Sequence, residues 1–404
     1  MIWGIVKNSL DKILEYTLRE EDLSQTANGL VNLVLKNCVR VTGHEISGAK
    51  YTRDGIMVDG QRVRVTERMR PGQTLRVRLK DFDDPEKILP LEGGVEVLYE
   101  DEDLIIVNKP ARVAVHPSPG HYRDTLANLV AGYFAARGEQ TACRIAGRLD
   151  METSGAIVFA KNGATAGRLS RERLQGISGR LYLALVHGTF EESGEPNEDG
   201  NALPEGSEVS LASESSTFLE DKRMLTMTEV YDLPGETSKL QDILSLSESD
   251  LQWHTVDAPI GRVPGVLLKR RVTFEGDGQD AVTHYAVLRQ NKEANISLIC
   301  ARIDTGRTHQ IRVHMNHIGH TLVGDQIYGH MIAEDLLGRH RSDENNPSGE
   351  PTSEIILCGG REFSAARAML HAARIEMIHP FTTEMLSVAA PLPQDFSNLL
   401  NALF

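Results

Sequence analysis

From residue 92 onward, short runs of strand-forming residues recur at uneven intervals: VEVLYEDEDLIIVNK, GAIVFAK, RLYLALVHG, THYAVLRQ and ISLICARI. Between them, TLANLVAGYFAARG and GATAGRLSRERLQG carry helical composition. No strict strand–helix–strand rhythm links these runs, so an all-parallel sheet is disfavoured. An α+β domain around a central mixed, mostly antiparallel sheet is expected. In RLYLALVHG, alternation sends Leu181, Leu183 and Leu185 to one face and Tyr182 and Ala184 to the other.

At 404 residues the chain exceeds one compact core, which calls for two domains or one with large insertions. A small module is expected over residues 1–82, a polar, proline-containing linker over 83–91, and the larger domain over 92–404. Two stretches inside that domain read as insertions, 191–252 and 332–366. The first is rich in Ser, Glu, Asp, Gly and Pro and reads as loosely folded.

Charge is very unevenly spread. Residues 191–250 hold sixteen acidic and three basic residues, so they carry −13 of the chain's net −14 and leave the other 344 residues near neutrality. The overall acidity therefore does not argue against a nucleic-acid partner. Gln61–Lys80 holds seven Lys/Arg and one acid, Glu67. Arg62 and Arg64 alternate with Val63 and Val65. Arg76, Arg78 and Lys80 alternate with Leu75, Val77 and Leu79. Period-2 alternation gathers such cations on one strand face, suited to a phosphate backbone. The four cysteines are scattered and form no CxxC pair, which fits a reducing compartment. The first residues are too polar for a signal peptide, and no apolar run is long enough to span a bilayer. A cytoplasmic, monomeric protein with no membrane partner is expected.

Two further stretches carry chemistry. RLDMETSG places Asp150 before the Thr153-Ser154-Gly155 turn and an apolar run. Local hydroxyl bonds would hold a carboxylate rigidly there, although aspartate is also common in plain turns. ARIDTGRTHQIRVHMNHIGHTLVGDQIYG spaces Ile311, Met315 and Ile318 as a helix, with Thr308 the expected cap and Gly319 the stop. Arg307 then stands at the helix mouth with Arg302 and Arg312 near, a place for an anion. The spacing of His309, His314, His317 and His320 matches no standard zinc motif, so no metal is expected.

These stretches resemble the RluA-like family of RNA pseudouridine synthases. VLYEDEDLIIVNKPARVAVHPSPG resembles the family's opening segment, RLDMETSG its HRLDxxTSG motif, and LHAARIEMIHPFTTEMLSVAAPLPQDF its closing segment. The resemblance implies Asp150 as catalytic carboxylate, Tyr182 as active-site tyrosine, and Arg307 as essential arginine pairing with Asp150. It implies no metal and no organic cofactor. Substrate contacts are expected from His116, Arg148, Thr153, Ser154, His309, Gln310, Arg312 and Leu322, and backbone contacts from Arg62, Arg64, Arg76, Arg78 and Lys80. The N-terminal module resembles, more weakly, an alpha-L type RNA-binding domain. Gly147 replaces the family's usual His, and Arg112 its usual Gly. The expected partner is RNA, either large-subunit ribosomal RNA or tRNA. A non-catalytic RNA-binding or ribosome-assembly protein on the same fold is the alternative.

Overall fold

The computed structural model describes residues 11–81, 88–139, 141–174, 178–190, 208–211, 251–266, 268–329 and 353–404. Near the N-terminus, β1 (Lys12–Thr17), β2 (Ile56–Val58), β3 (Gln61–Arg62) and β4 (Thr74–Leu79) pair antiparallel in the order β1-β4-β2-β3. Helix α1 (Val31–Leu33), continued by a π-helical turn over Val34–Cys38, and α2 (Gly43–Tyr51) cover one face. Thr42 and Glu45 bond reciprocally at the start of α2, satisfying two of its free backbone donors. Alternation in β4 buries Leu75, Val77 and Leu79 against these helices. Arg76 and Arg78 take the opposite face, but carboxylates of β1 and its lead-in meet them, Glu15 at 3.5 Å and Asp11 at 4.0 Å. The strand expected through Arg64 stops at Arg62. Arg64 lies in the following loop, where its backbone N–H donates to Glu67 (2.8 Å).

The larger sheet has eleven strands. In chain order they are β5 (Glu96–Glu100), β6 (Leu104–Lys109), β7 (Arg144–Ile145), β8 (Ser154–Ala160), β9 (Gly179–His187), β10 (Glu208–Leu211) and β11 (His254–Asp257). After a separate hairpin, β12 (Ile260–Arg262) and β13 (Arg270–Val272), come β14 (Val282–Asn291) and β15 (Ile296–Ile303). A second hairpin, β16 (Glu354–Cys358) and β17 (Arg361–Ala365), precedes β18 (Leu370–Ile378) and β19 (Met385–Ala389). The main order is β10-β11-β14-β15-β9-β18-β8-β6-β5, with β19 on β18 and β7 on β8. One pairing, β18 with β8, is parallel (His371↔Ser154, Ala372↔Gly155), and the rest are antiparallel. The sheet is thus mixed and mostly antiparallel, the α+β class expected.

Every residue of β8 is buried, because both faces of the sheet are covered. On one face α3 (Leu126–Ala136) packs Leu126, Val130 and Phe134 onto Ile105, Val107, Ile157 and Phe159. Tyr182, Ala184 and Val186 of β9 belong to that core. Leu181, Leu183 and Leu185 face the other way, onto the terminal helix (Gln394–Leu403) through Phe396, Leu399 and Leu400. Leu169 of α4 (Gly163–Leu174) joins a third cluster with Val158, Ile375 and Met377.

The two sheets are tied together by charge. Asp81 takes Arg144 (2.6 Å) and the backbone N–H of Gly163 (2.8 Å), Lys12 meets Asp103 (2.7 Å), and Arg168 lies 3.6 Å from Glu45. Of the expected linker, residues 83–87 lie outside the described residues. Ile88 is buried in the α3 core, and the Leu91 N–H bonds Asn128 (2.9 Å). Within the acidic stretch, Glu208–Leu211 form edge strand β10 against β11, while 191–207 and 212–250 lie outside the described residues. Of the second expected insertion, 332–352 lie outside them, and β16 and β17 form from the remainder. No described helix is long and apolar enough to cross a membrane.

Candidate active site

Asp150 sits on the loop entering β8. The loop is clamped from behind by three buried cations. Lys109, at the end of β6, donates to the carbonyls of Met151 (2.9 Å), Pro110 (2.8 Å) and Val113 (2.8 Å). Arg367 donates to the Glu152 carbonyl (3.1 Å) while its fork is held by Asp395 (2.6 and 3.0 Å). Arg312 meets the Glu152 carboxylate (3.1 Å) and makes a two-pronged pair with Asp325 (2.7 Å each). The Thr153 N–H bonds the Asp150 carbonyl (3.2 Å), and the Ser154 hydroxyl pairs with His371 Nδ1 (3.0 Å). Gly155, at φ +109°, lets β8 approach Ala372, whose carbonyl oxygen lies 2.2 Å from where a Cβ would be.

In front of the loop lies a cavity of about 350 Å³. Arg148, Asp150 and Thr153 line it from the loop, Arg173 from α4, and Arg180 and Tyr182 from β9. Thr305–Thr308 and Gln310 line it from the segment after β15. Leu149, Ile303, Ile311 and Leu370 supply apolar wall. The residues expected as catalytic, Asp150, Tyr182 and Arg307, therefore share one cavity with three of the expected substrate contacts, Arg148, Thr153 and Gln310. The expected ion pair does not form. Arg307 Nε instead donates to the carbonyl of Asp280 (2.9 Å).

Gln310 opens α5 (Gln310–His317) and fastens the preceding segment. Its side-chain oxygen accepts from the Arg307 N–H (3.0 Å) and the Thr305 hydroxyl (2.8 Å), and its amide donates to Val282 and Thr283. The cap position falls on His309, left-handed at φ 58°, and not on Thr308 as expected. Gly319 takes the left-handed stop at φ 84°. Five expected contacts do not line the cavity. Arg312 is 2% exposed and committed to Asp325 and Glu152, so it supports the loop from behind. Ser154 is spent on His371, and Leu322 is core. His116 is exposed and hydrogen-bonded to the Pro117 carbonyl (3.0 Å). His309 also lies outside the lining. It meets the Tyr328 hydroxyl (3.0 Å), and burial lowers its pKa against the pull of Asp150.

Sequence reasoning missed Lys109 and Arg367. The signal for the first was the NKP in the opening segment, and no pattern marked the second. Burial, helped by Arg367, pulls the Lys109 ammonium down to about 7, against the attraction of Asp150. Burial pushes Glu152 up, with Arg312 opposing. The histidine-rich segment is largely structural. His314 bonds Thr283 and the Ala258 carbonyl, His320 bonds the His187 carbonyl and stacks on Phe190, and burial lowers both to about 4. Asp101, Asp103 and His379 bring three possible ligand atoms within 4.8 Å of one another, but Lys12 already sits 2.7 Å from Asp103.

Both departures from the resembled pattern have local consequences. Arg112 holds φ 64°, a conformation that favours glycine, and its guanidinium reaches the Ala366 carbonyl (2.6 Å). Gly147 holds φ +131°, and the Arg180 guanidinium fills the space beside it.

The family model for RNA pseudouridylate synthase matches residues 103–317, the span that contains Asp150, Tyr182 and Arg307. The chain belongs to that family. It is an RNA pseudouridine synthase, an isomerase acting on RNA. Among its relatives, the uncharacterized RNA pseudouridine synthase YjbO of Bacillus subtilis (strain 168) is 28% identical over 355 residues, covering 88% of this chain and 93% of that one. The ribosomal large subunit pseudouridine synthase D of Haemophilus influenzae is 30% identical over 309 residues, 76% of this synthase and 71% of that one. A solved structure, human RNA pseudouridylate synthase domain containing 1, is 22% identical with a TM-score of 0.44, over 75% of this chain and 87% of that one.

Proposed function

We propose that this synthase isomerises uridine in large-subunit ribosomal RNA, with Asp150 as the nucleophile. The observation that carries the reading is a carboxylate on a clamped loop, facing a cavity it shares with Tyr182 and four arginines. Several relatives bear the name ribosomal large subunit pseudouridine synthase D, which favours that RNA over tRNA.

The target base must leave its stack, at a cost of roughly a few kcal/mol. The cavity then receives it. Asp150 attacks the nucleoside, and the bond between N1 of uracil and C1′ of ribose breaks. The freed uracil turns and C5 bonds to C1′, with release of Asp150. The proton on C5 leaves, and N1 ends up protonated. Atoms and charge balance without an added reactant. Tyr182 stacks on the base through the turn and stands beside the C5 proton. Arg307 swings from the Asp280 carbonyl to Asp150 or to the substrate. The cations near β3 and β4 (Arg62, Arg64, Arg76, Arg78 and Lys80) hold the flanking RNA backbone, the part an alpha-L type module would play.

Carbodiimide mapping of pseudouridine in total RNA, from cells lacking the gene and complemented with wild type or Asp150→Ala, tests this. A large-subunit site restored by wild type alone is the expected result. A tRNA site in its place overturns the target, and restoration by Asp150→Ala overturns the nucleophile.

A further inference from the structure

Four guanidinium groups line the cavity, from Arg148, Arg173, Arg180 and Arg307, against two carboxylates, Asp150 and Asp304. Asp304 is engaged by His284 Nε2 (3.2 Å), so the cavity holds positive charge in excess. Arg180 packs against the loop that carries Asp150. Its guanidinium lies over Gly147, where a Cβ would come within 2.6 Å of one terminal nitrogen and 3.2 Å of the other. Its Nε is buried and has no hydrogen-bond partner among the described residues. Gly147, three residues before Asp150, thus leaves room for a guanidinium whose Nε is left unpartnered among the described residues.

We propose that Arg180 binds a backbone phosphate of the nucleotide whose base stacks on Tyr182. The inference rests on reading the Asp150 cavity as the catalytic one. Arg180 and Tyr182 are two residues apart on β9, hence on one face and about 6.6 Å apart along the strand. That spacing sets the ring on a base and the guanidinium on the same nucleotide's phosphate. A flipped nucleotide brings its flanking phosphates to the cavity mouth. A planar guanidinium meets phosphate oxygens with two parallel bonds, which an ammonium does not reproduce. Arg180 is then a positioning residue, and Gly147 is the vacancy that admits it.

The test uses the full chain and total RNA labelled with [5-³H]uridine from cells lacking the gene. Tritium release reports turnover on whichever RNA is the target. Arg180→Met keeps bulk and removes charge. It is expected to raise the RNA concentration at half-maximal rate about tenfold or more, well beyond its effect on the maximal rate. In an Asp150→Ala background, it is expected to lower the slope of log affinity against log salt by roughly 0.7 to 0.9. Arg180→Lys is expected to restore the salt slope and only part of the affinity. Gly147→Ala should reproduce the affinity loss of Arg180→Met and add little to it in the double variant. Unchanged half-saturation and salt slope in Arg180→Met, with Asp150→Ala inactive, would leave Arg180 as packing only and overturn the proposal. Turnover persisting in Asp150→Ala would instead overturn the catalytic reading.

Discussion

The two sides of the Asp150 loop use the same kind of residue to opposite ends. Behind it, Lys109, Arg312 and Arg367 are buried and each is fully engaged: three carbonyls for Lys109, Asp325 and Glu152 for Arg312, Asp395 and backbone carbonyls for Arg367. In front, Arg148, Arg173 and Arg180 make no ion pair among the described residues, and Arg307 meets a single carbonyl. A buried cation must be neutralised where it stands, or the fold carries its desolvation cost. A cation that reaches a cavity wall keeps its open face in water and can exchange that water for a phosphate. Partnering therefore separates the cations that hold the loop from those left open toward the cavity, where residue type does not.

The sharpest break between the two sides is kinetic. Asp150→Ala should lower turnover by several orders of magnitude, with the unfolding free energy within about 1 kcal/mol of wild type, because the half-buried carboxylate makes no hydrogen bond or ion pair among the described residues. Arg312→Met should instead act chiefly on stability. It leaves Asp325 buried and unpaired, at a cost of roughly 3–5 kcal/mol. Denaturant unfolding and tritium release measured on both variants check this. An Arg312→Met protein with wild-type stability and a raised half-saturating RNA concentration would return Arg312 to the substrate side.

How much of this was legible from sequence follows the same line. The sheet was legible because strand alternation is a local signal: Leu181, Leu183 and Leu185 face one core and Tyr182 and Ala184 the other. That Asp150, Tyr182 and Arg307 come together was legible through the motifs that carry them, and they line one cavity. Arg312 was misread because it lies five residues after Arg307, and its partner Asp325 lies thirteen residues further on, across a fold that spacing does not reveal. Lys109 and Arg367 act through backbone carbonyls of a distant loop, a contact no side-chain pattern encodes. The exchange at Gly147 was visible as a missing histidine. Its meaning depended on Arg180, thirty-three residues away on another strand.

A smaller effect separates Lys109 from its two neighbours by pH. Its pKa of about 7 in the folded chain lies below the ordinary 10.5. Between those values the unfolded chain holds more protons than the native one, so this group makes stability rise with pH across that window. Below about 7 both states are protonated and the burial cost is present in full. From pH 7 to pH 9, wild type should gain on the order of 2 kcal/mol relative to Lys109→Met. A pH-independent gap between the two proteins would show that the three carbonyls keep the ammonium charged throughout.

The smallest effect carries the comparison into the N-terminal sheet, where partnered and unpartnered arginines stand side by side. Arg76 lies 3.5 Å from Glu15 across the β1–β4 pairing, whereas the exposed Arg64 side chain has no ion-pair partner among the described residues. A guanidinium already facing a carboxylate displaces fewer counterions from RNA, because part of its charge is spent before binding. Arg64→Gln should therefore reduce the salt slope of RNA binding by roughly 0.7, and Arg76→Gln by less than half of that, with affinity losses of a few-fold at most. Filter binding to total RNA across a salt series measures both. Equal losses would mean that Glu15 releases Arg76 when RNA arrives, and partnering would then mark a substrate contact held in reserve on this sheet, unlike the permanent pairs behind the Asp150 loop.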